Sequence, residues 1–315
     1  MILLCGIPSE SPLAMVARAL DALGADYRLF NQRQVAEARI ALSIESGQVE
    51  GTLRLNGEAF SLPDITAAYL RLMDDRLLPE LEDEPEGTPA RRHARATHDA
   101  LYRWLEIAPA RVINRCDPQG SNGSKPYQAQ LIQRHGFSVP ETLITDDPEA
   151  VLTFRREHGT LIYKSMSGVR SIVHALEEDD FPRLENIRWC PVQFQALVPG
   201  TDMRVHVVGE DVHPTEIVSD RLDYRYAKRQ GGNAELRAAT LPDDTAQKCV
   251  ELTRALGLEI SGIDLKITPA GEVFCFEVNP CPAFSYYEAN TGQPIALSIA
   301  RHLAGVSSSA SPTNP

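Results

Sequence analysis

The chain has 315 residues, 43% hydrophobic and 23% charged, with 43 Asp and Glu against 31 Lys and Arg and a formal net charge of −12. That apolar share suffices for a folded core, and the length suits two domains or one large domain with subdomains. The acidic balance excludes a nucleic-acid binder that works by general electrostatics. It leaves room for a nucleotide ligand, for which a few well-placed cations suffice.

The apolar run from Met1 to Ile7 is too short to cross a membrane and lacks the basic flank and cleavage site of a secretory signal. It reads as the first strand of a cytoplasmic protein with no membrane partner. Leu13, Val16, Ala17 and Leu20 then recur at helical spacing up to Gly24, and a strand resumes at Tyr27. This β–α–β opening carries no G-x-G-x-x-G, so a dinucleotide fingerprint is absent. Short alternating runs follow, and the turn signals Ser46-Gly47 and Asn56-Gly57 predict hairpins. A further strand ends in Tyr69-Leu70-Arg71. Residues 79–90 are acidic and proline-rich and predict an exposed, mobile loop, ahead of a helix over 91–107.

A first domain over 1–114 is expected to be followed by a body over 115–305, itself in two lobes of about 115–196 and 197–305, and a disordered tail over 306–315. In the body, the spacing predicts helices over 125–135, 148–158, 243–256 and 294–303. Strands are predicted over 141–145, 160–166, 192–197, 203–209, 260–268 and 272–279. The six cysteines are scattered with no C-x-x-C pair, which predicts reduced thiols, not a disulfide scaffold or a zinc knuckle.

Two late strands carry the strongest chemical pattern. In Gly262-Ile263-Asp264-Leu265-Lys266-Ile267 the side-chain period of two places Asp264 and Lys266 on one face. In Phe274-Cys275-Phe276-Glu277-Val278-Asn279 the same period predicts Phe274, Phe276 and Val278 on one face, with Glu277 and Asn279 on the other. Adjacent strands of this kind present Asp, Glu and Asn oxygens to one point, a donor set suited to Mg²⁺; a solvated strand face is the plainer reading.

A phosphate side is also visible. Lys164 ends the apolar strand Leu161-Ile162-Tyr163 and opens a Ser/Gly-rich loop over 165–171 that can offer backbone N–H groups to phosphate oxygens. It is not a Walker A loop. Lys125 follows the glycine loop Ser121-Asn122-Gly123-Ser124 at a helix start. Farther on, the strand–turn–strand around Pro199-Gly200 aims Arg204 and His206 one way and Val205 and Val207 the other. An arginine so placed wants a phosphate or carboxylate partner. His206 reads as a packed histidine without a catalytic role.

In this order, a lysine after a glycine loop, a strand lysine with a Ser/Gly loop, Q-x-Q-x-x-x-x-G-x-D-x-R, G-I-D-L-K and F-E-V-N-P, the chain resembles the ATP-grasp superfamily. The likeness covers about residues 115–304. It points to the branch of ligases that add glutamate to a ribosomal protein and of graspetide-maturing macrocyclases. The resemblance implies an α/β architecture in which two α+β lobes grip ATP behind a small N-terminal α/β domain. It also implies transfer of the γ-phosphoryl group to a carboxylate, then attack on the acyl phosphate by an amine or another nucleophile.

Carried over residue by residue, Lys125 and Lys164 would hold the ATP phosphates, with Ser165, Ser167 and Gly168 in the covering loop. Gln195, Ala196, Leu197 and Val198 would form the hinge that meets adenine, and Asp202 would lie near the ribose. Arg204 would stabilise the transferred phosphoryl group, and Asp264, Glu277 and Asn279 would ligate Mg²⁺, two ions being expected and Mn²⁺ able to substitute.

Two more similarities, Tyr69-Leu70-Arg71 and the D-W-R-like Asp223-Tyr224-Arg225, point to the peptide-maturing enzymes, with Arg225 a phosphate or substrate contact. The chain departs from them at Cys281-Pro282-Ala283-Phe284-Ser285, which is nearer to the glutamate ligases, and at Gln195, where Glu is frequent. The expected partners are ATP, a carboxylate and a nucleophile on a peptide or amino acid, compatible with a homo-oligomer. The competing class is a non-catalytic ATP-binding regulatory module, which would not need the full set of two lysines, an arginine and three metal ligands.

Overall fold

The computed structural model describes residues 1–165, 173–219 and 234–306. The chain opens with β1 (Ile2–Gly6), buried along its whole length, and α1 (Ser11–Ala22), whose Leu13, Val16 and Leu20 form the buried stripe. Strand β2 (Tyr27–Asn31) pairs parallel with β1. An antiparallel meander follows in β3 (Arg39–Glu45), β4 (Gln48–Leu55) and β5 (Glu58–Ser61). Its turns have positive φ at both central residues, 51° and 80° at Ser46-Gly47 and 50° and 83° at Asn56-Gly57. That is the turn geometry that matches the twist of the flanking strands. Strand β6 (Ala67–Arg71), helix α2 (Pro89–Ile107) and strand β7 (Arg111–Ile113) complete a parallel sheet of order β2-β1-β6-β7.

The predicted mobile loop over 79–90 is anchored instead. Leu78 and Leu81 belong to the core that holds Trp104 and Leu105, and Arg91 donates from Nε and Nη2 to the carbonyls of Glu84 and Leu81, both at 2.5 Å. Leu78 just before the acidic stretch and Leu81 inside it tie it down, and average composition conceals them.

After α3 (Cys116–Gln119) and α4 (Lys125–Arg134) come β8 (Thr142–Thr145), α5 (Pro148–His158), β9 (Leu161–Ser165), β10 (His174–Ala175) and β11 (Val192–Ala196). They form a sheet of order β10-β9-β11-β8, with Val151 of α5 packed on Leu161 and Phe194. The larger sheet has order β14-β13-β12-β15-β16, built from β12 (Thr201–Val208), β13 (Asp211–Ser219), β14 (Ala234–Ala238), β15 (Ile260–Ile267) and β16 (Val273–Asn279). Helix α6 (Asp243–Ala255) covers one face, where Val205, Val207, Ile263 and Leu265 pack with Cys249 and Leu252. Helices α7 (Ser285–Thr291) and α8 (Ile295–Ala304) end the described chain. Ile295, Ile299 and Leu303 share one core with Leu13 and Val16 of α1 and with Val208 of the larger sheet, across the Asn114 position.

One predicted face is corrected. Asp264 pairs with Glu277 but Leu265 pairs with Cys275, so Phe276 is the extra residue of a β-bulge. The bulge resets the alternation: Cys275 and Val278 enter the core, and Phe276 does not join Val278. The six cysteines are free thiols, and among the described residues no helix is long and apolar enough to cross a membrane. The expected tail at 307–315 lies outside the described residues.

Candidate active site

Strand register brings the predicted residues into two adjacent rows across the larger sheet. Thr215, Arg204, Asp264 and Glu277 form one row, and His213, His206, Gly262 and Asn279 the next. Directly paired residues on antiparallel strands project to the same face, so Asp264, Glu277 and Asn279 share it with Arg204. This face lies opposite the apolar one that packs on α6. Arg204 is buried and donates from Nη1 to Asp264 Oδ1 at 2.7 Å, which meets its need for a carboxylate partner.

Helix α4 delivers the second cation. Gln128 is buried, donates from Nε2 to the Val278 carbonyl at 2.8 Å and accepts from the Val278 N–H at 3.0 Å. One carboxamide thus clamps the helix to β16 between Glu277 and Asn279. Lys125, in the first turn of that helix, donates to Glu277 Oε1 and, at 2.9 Å, to Asn122 Oδ1. A lysine at a helix N-terminus makes a favourable place for an anion.

A cleft of about 340 Å³ opens between α4, the sheet of order β10-β9-β11-β8 and the middle of β16. Lys125, Lys164, Gln193, Gln195 and Phe276 are among its lining residues. Lys164 of β9 and Gln193 of β11 are cross-strand partners. Gln195 donates from Nε2 to Thr142 Oγ1 at 3.0 Å. In the hinge, the N–H groups of Ala196 and Leu197 are taken by the carbonyls of Glu141 and Thr160, both at 2.9 Å. Asp202 forms an ion pair with Lys266 Nζ at 3.1 Å. Ser165 ends β9. Ser167, Gly168 and Arg225 lie outside the described residues.

The donor chemistry suits a hard divalent cation. Two carboxylates and one carboxamide oxygen stand on one face, and Asn279 Oδ1 is oriented by accepting the Cys281 N–H at 2.9 Å. Among the described residues no group of three or more His, Cys, Asp or Glu gathers at metal-binding spacing, and the set here has two carboxylates and a carboxamide.

Beneath the two rows, Asn114 spends its whole side-chain hydrogen-bonding capacity. It donates to the carbonyls of Ile260 at 2.7 Å and Pro280 at 2.6 Å, and accepts from the N–H groups of Glu259 at 2.7 Å and Ile260 at 3.1 Å. It pins the start of β15 to the end of β16, and so fixes the two strands that carry the acidic residues. His206 is fully buried against the Tyr287 ring, 4.8 Å between centroids. Burial, then the nearby Arg204 and His213, hold its pKa well below the usual 6.5, so it is a neutral packing residue.

Gln128, Asn114, Gln193 and Phe276 are the site residues that sequence reasoning passes over. The first two act through carboxamide contacts to distant backbone. Phe276 depends on the bulge. Gln193 was visible only as the first Gln of Q-x-Q.

The family model of the RimK-like ATP-grasp domain matches residues 123–303, more than half of the chain. The protein belongs to that family. This RimK-like chain is 25% identical over 214 residues to a probable alpha-L-glutamate ligase of Parasynechococcus marenigrum, an alignment covering 62% of the chain and 44% of the relative. It therefore spans less than half the length of that protein.

Solved ATP-grasp structures match it nearly end to end. The ATP-grasp ligase PsnB, complexed with minimal precursor, Mg and ADP, superposes with a TM-score of 0.77 at 27% identity, covering 96% of each chain. The macrocyclase MdnC of Microcystis aeruginosa, bound with the precursor peptide MdnA, gives a TM-score of 0.77 at 22% identity and covers 97% of this chain and 100% of its own. The MdnC likeness shows the fold. An ATP-grasp fold of α/β architecture is thus common to this RimK-like protein and both neighbours.

Proposed function

We propose that the protein is an ATP-dependent carboxylate–amine ligase that forms an amide through an acyl phosphate. The observation that carries this reading is the convergence of Lys125, Arg204, Asp264, Glu277 and Asn279 beside a cleft lined by Lys164. In the proposed reaction a carboxylate oxygen of the substrate attacks the γ-phosphorus of ATP and ADP leaves. The amine then attacks the acyl carbon, and phosphate departs carrying that carboxylate oxygen.

Lys125 and Lys164 hold the phosphates, and Arg204 meets charge on the transferred phosphoryl group. Gln195 to Val198 form the base-binding hinge. The Ala196 and Leu197 amides are engaged within the sheet, so among the described residues the Val198 N–H is the hinge donor without a protein acceptor. Asp264, Glu277 and Asn279 are the ligands for Mg²⁺, which when bound neutralises phosphate charge. Positioning and charge neutralisation supply most of the rate in such chemistry. Ser167, Gly168 and Arg225 enter this proposal on sequence likeness alone.

The substrate is a peptide or an amino acid. PsnB, whose structure holds a minimal precursor, matches 96% of the chain at 27% identity, and a probable alpha-L-glutamate ligase of Xylella fastidiosa matches 79% of it at 25%. The test is ATP and Mg²⁺ with a peptide panel and an amino-acid panel, each with hydroxylamine to trap acyl phosphates. Hydroxamate and ADP formed together support the ligase. Neither formed with any substrate, despite ATP binding, would favour a non-catalytic ATP-binding module.

A further inference from the structure

Gly262 sits beside the Arg204–Asp264 pair, in the row between His206 and Asn279. Its φ lies outside the left-handed region, so backbone conformation does not demand a glycine there. Space does. A Cβ added at 262 would stand 2.6 Å from Arg204 Cζ and 2.8 Å from Pro282 Cβ. Carbon atoms pack at about 3.5–4.0 Å, so neither contact could persist.

The arginine therefore leaves β12 and runs diagonally across the bare backbone of β15. Its guanidinium has Gly262 as floor, Asp264 at one end through the 2.7 Å bond, and the Tyr287 ring as a wall 5.7 Å from Cζ to centroid. Pro282, on the other side of the Cβ position, lies in a segment held at residues 280 and 282. Arg71 donates from Nη1 to its carbonyl at 3.4 Å, and Asn114 fixes the Pro280 carbonyl at 2.6 Å. The Arg204 side chain is only 7% exposed, so it has no solvent route of retreat.

We infer that Gly262 is the positioning residue of Arg204: the missing side chain sets the depth and direction of the guanidinium. A larger residue at 262 moves the guanidinium off Asp264. The catalytic consequence rests on the proposed function, in which Arg204 meets the transferred phosphoryl group; the packing claim stands apart from it.

The test is a four-protein cycle of wild type, Gly262→Ala, Arg204→Ala and the double variant, with Arg204→Lys replacing Arg204→Ala if that protein does not fold. Two quantities are read, the thermal midpoint and the steady-state kinetics of ADP release. Overpacking should lower the midpoint of Gly262→Ala by about 2–4 °C. In the Arg204→Ala background only the Pro282 contact remains, so the same change should lower the midpoint clearly less.

Misplacing the guanidinium should lower kcat by about 10²-fold with the KM for ATP little altered, again only when Arg204 is present. Equal midpoint losses in both backgrounds, or a wild-type midpoint and kcat in Gly262→Ala, would overturn the inference. Coupled midpoints with kcat unchanged in all four proteins would uphold the packing and overturn the catalytic role of Arg204.

Discussion

Arg204 and Asp264 face each other across β12 and β15 and close a 2.7 Å ion pair, while in the same row Lys125 holds Glu277. Two of the three cations assigned to phosphate, Lys125 and Arg204, thus engage carboxylates assigned to the metal. The arrangement is self-neutralised, which limits the cost of placing four charges in a partly buried site. It also couples the two ligands. For Mg²⁺ to take the carboxylates, the cations must turn to phosphates.

Binding of a non-hydrolysable ATP analogue should therefore depend on Mg²⁺, and Glu277→Gln should change it in two directions. Without Mg²⁺, the variant should bind the analogue more tightly, by about threefold to tenfold, because Lys125 is no longer held by a full negative charge. With Mg²⁺ the wild-type gain in affinity should be lost. Titration calorimetry with and without the ion reads both, and weaker binding of the metal-free analogue by the variant would speak against the pairing as described.

Lys164 stands in the cleft wall opposite Gln193, away from the two acidic rows. Lys164→Met keeps the length of the side chain and removes its charge. It should raise the KM for ATP by about tenfold or more, one charge-assisted contact being worth about 1.5–3 kcal/mol. An unchanged KM would remove Lys164 from the phosphate site.

Asn114 makes four hydrogen bonds to the backbone around β15 and β16 while almost fully buried. Asn114→Ala should cost about 2–4 kcal/mol of stability, since buried carbonyl and N–H groups lose their partners. Denaturant unfolding checks this. A loss below about 1 kcal/mol would mean that water replaces the carboxamide at little cost.

His206 and His213 are both held below the ordinary histidine pKa, mainly by burial, with Arg204 and His213 adding to the effect at His206 and Asp211 opposing it at His213. The folded protein takes up protons at both less readily than the unfolded chain, which does so below about 6.5. Their contribution is therefore complete above that pH and is lost as pH falls, at up to about 1.4 kcal/mol per pH unit for each histidine. His206→Gln should flatten the fall of the thermal midpoint between pH 7 and 5. An unchanged slope would mean that other groups govern the acid limb.

Local patterns made much of this fold readable. The predicted helices and the site strands appear within a few residues of their expected ends, because period-two alternation in β12 and β15 and helical spacing in α5 are strong signals. Strand β13 was not predicted: Pro214 within it argues against a strand, yet it pairs with Val205. Helix α7 is seven residues long and buries Tyr287, too short for a periodic signature.

In the site, alternation alone put Arg204 and Asp264 on usable faces. Their partnership needed the register of two strands separated by some sixty residues. The bulge at Phe276 and the carboxamide clamps of Gln128 and Asn114 depend on tertiary contacts that spacing does not encode.

The central claim is that a carboxylate is activated by the γ-phosphoryl group of ATP. Its most direct test is to run turnover on the peptide panel with ¹⁸O in the carboxyl groups of the substrate and to weigh the inorganic phosphate released. Acyl-phosphate chemistry predicts one ¹⁸O in each phosphate, in step with ADP. Unlabelled phosphate released at the same rate would mean that water, not the carboxylate, attacks ATP, and would contradict the account.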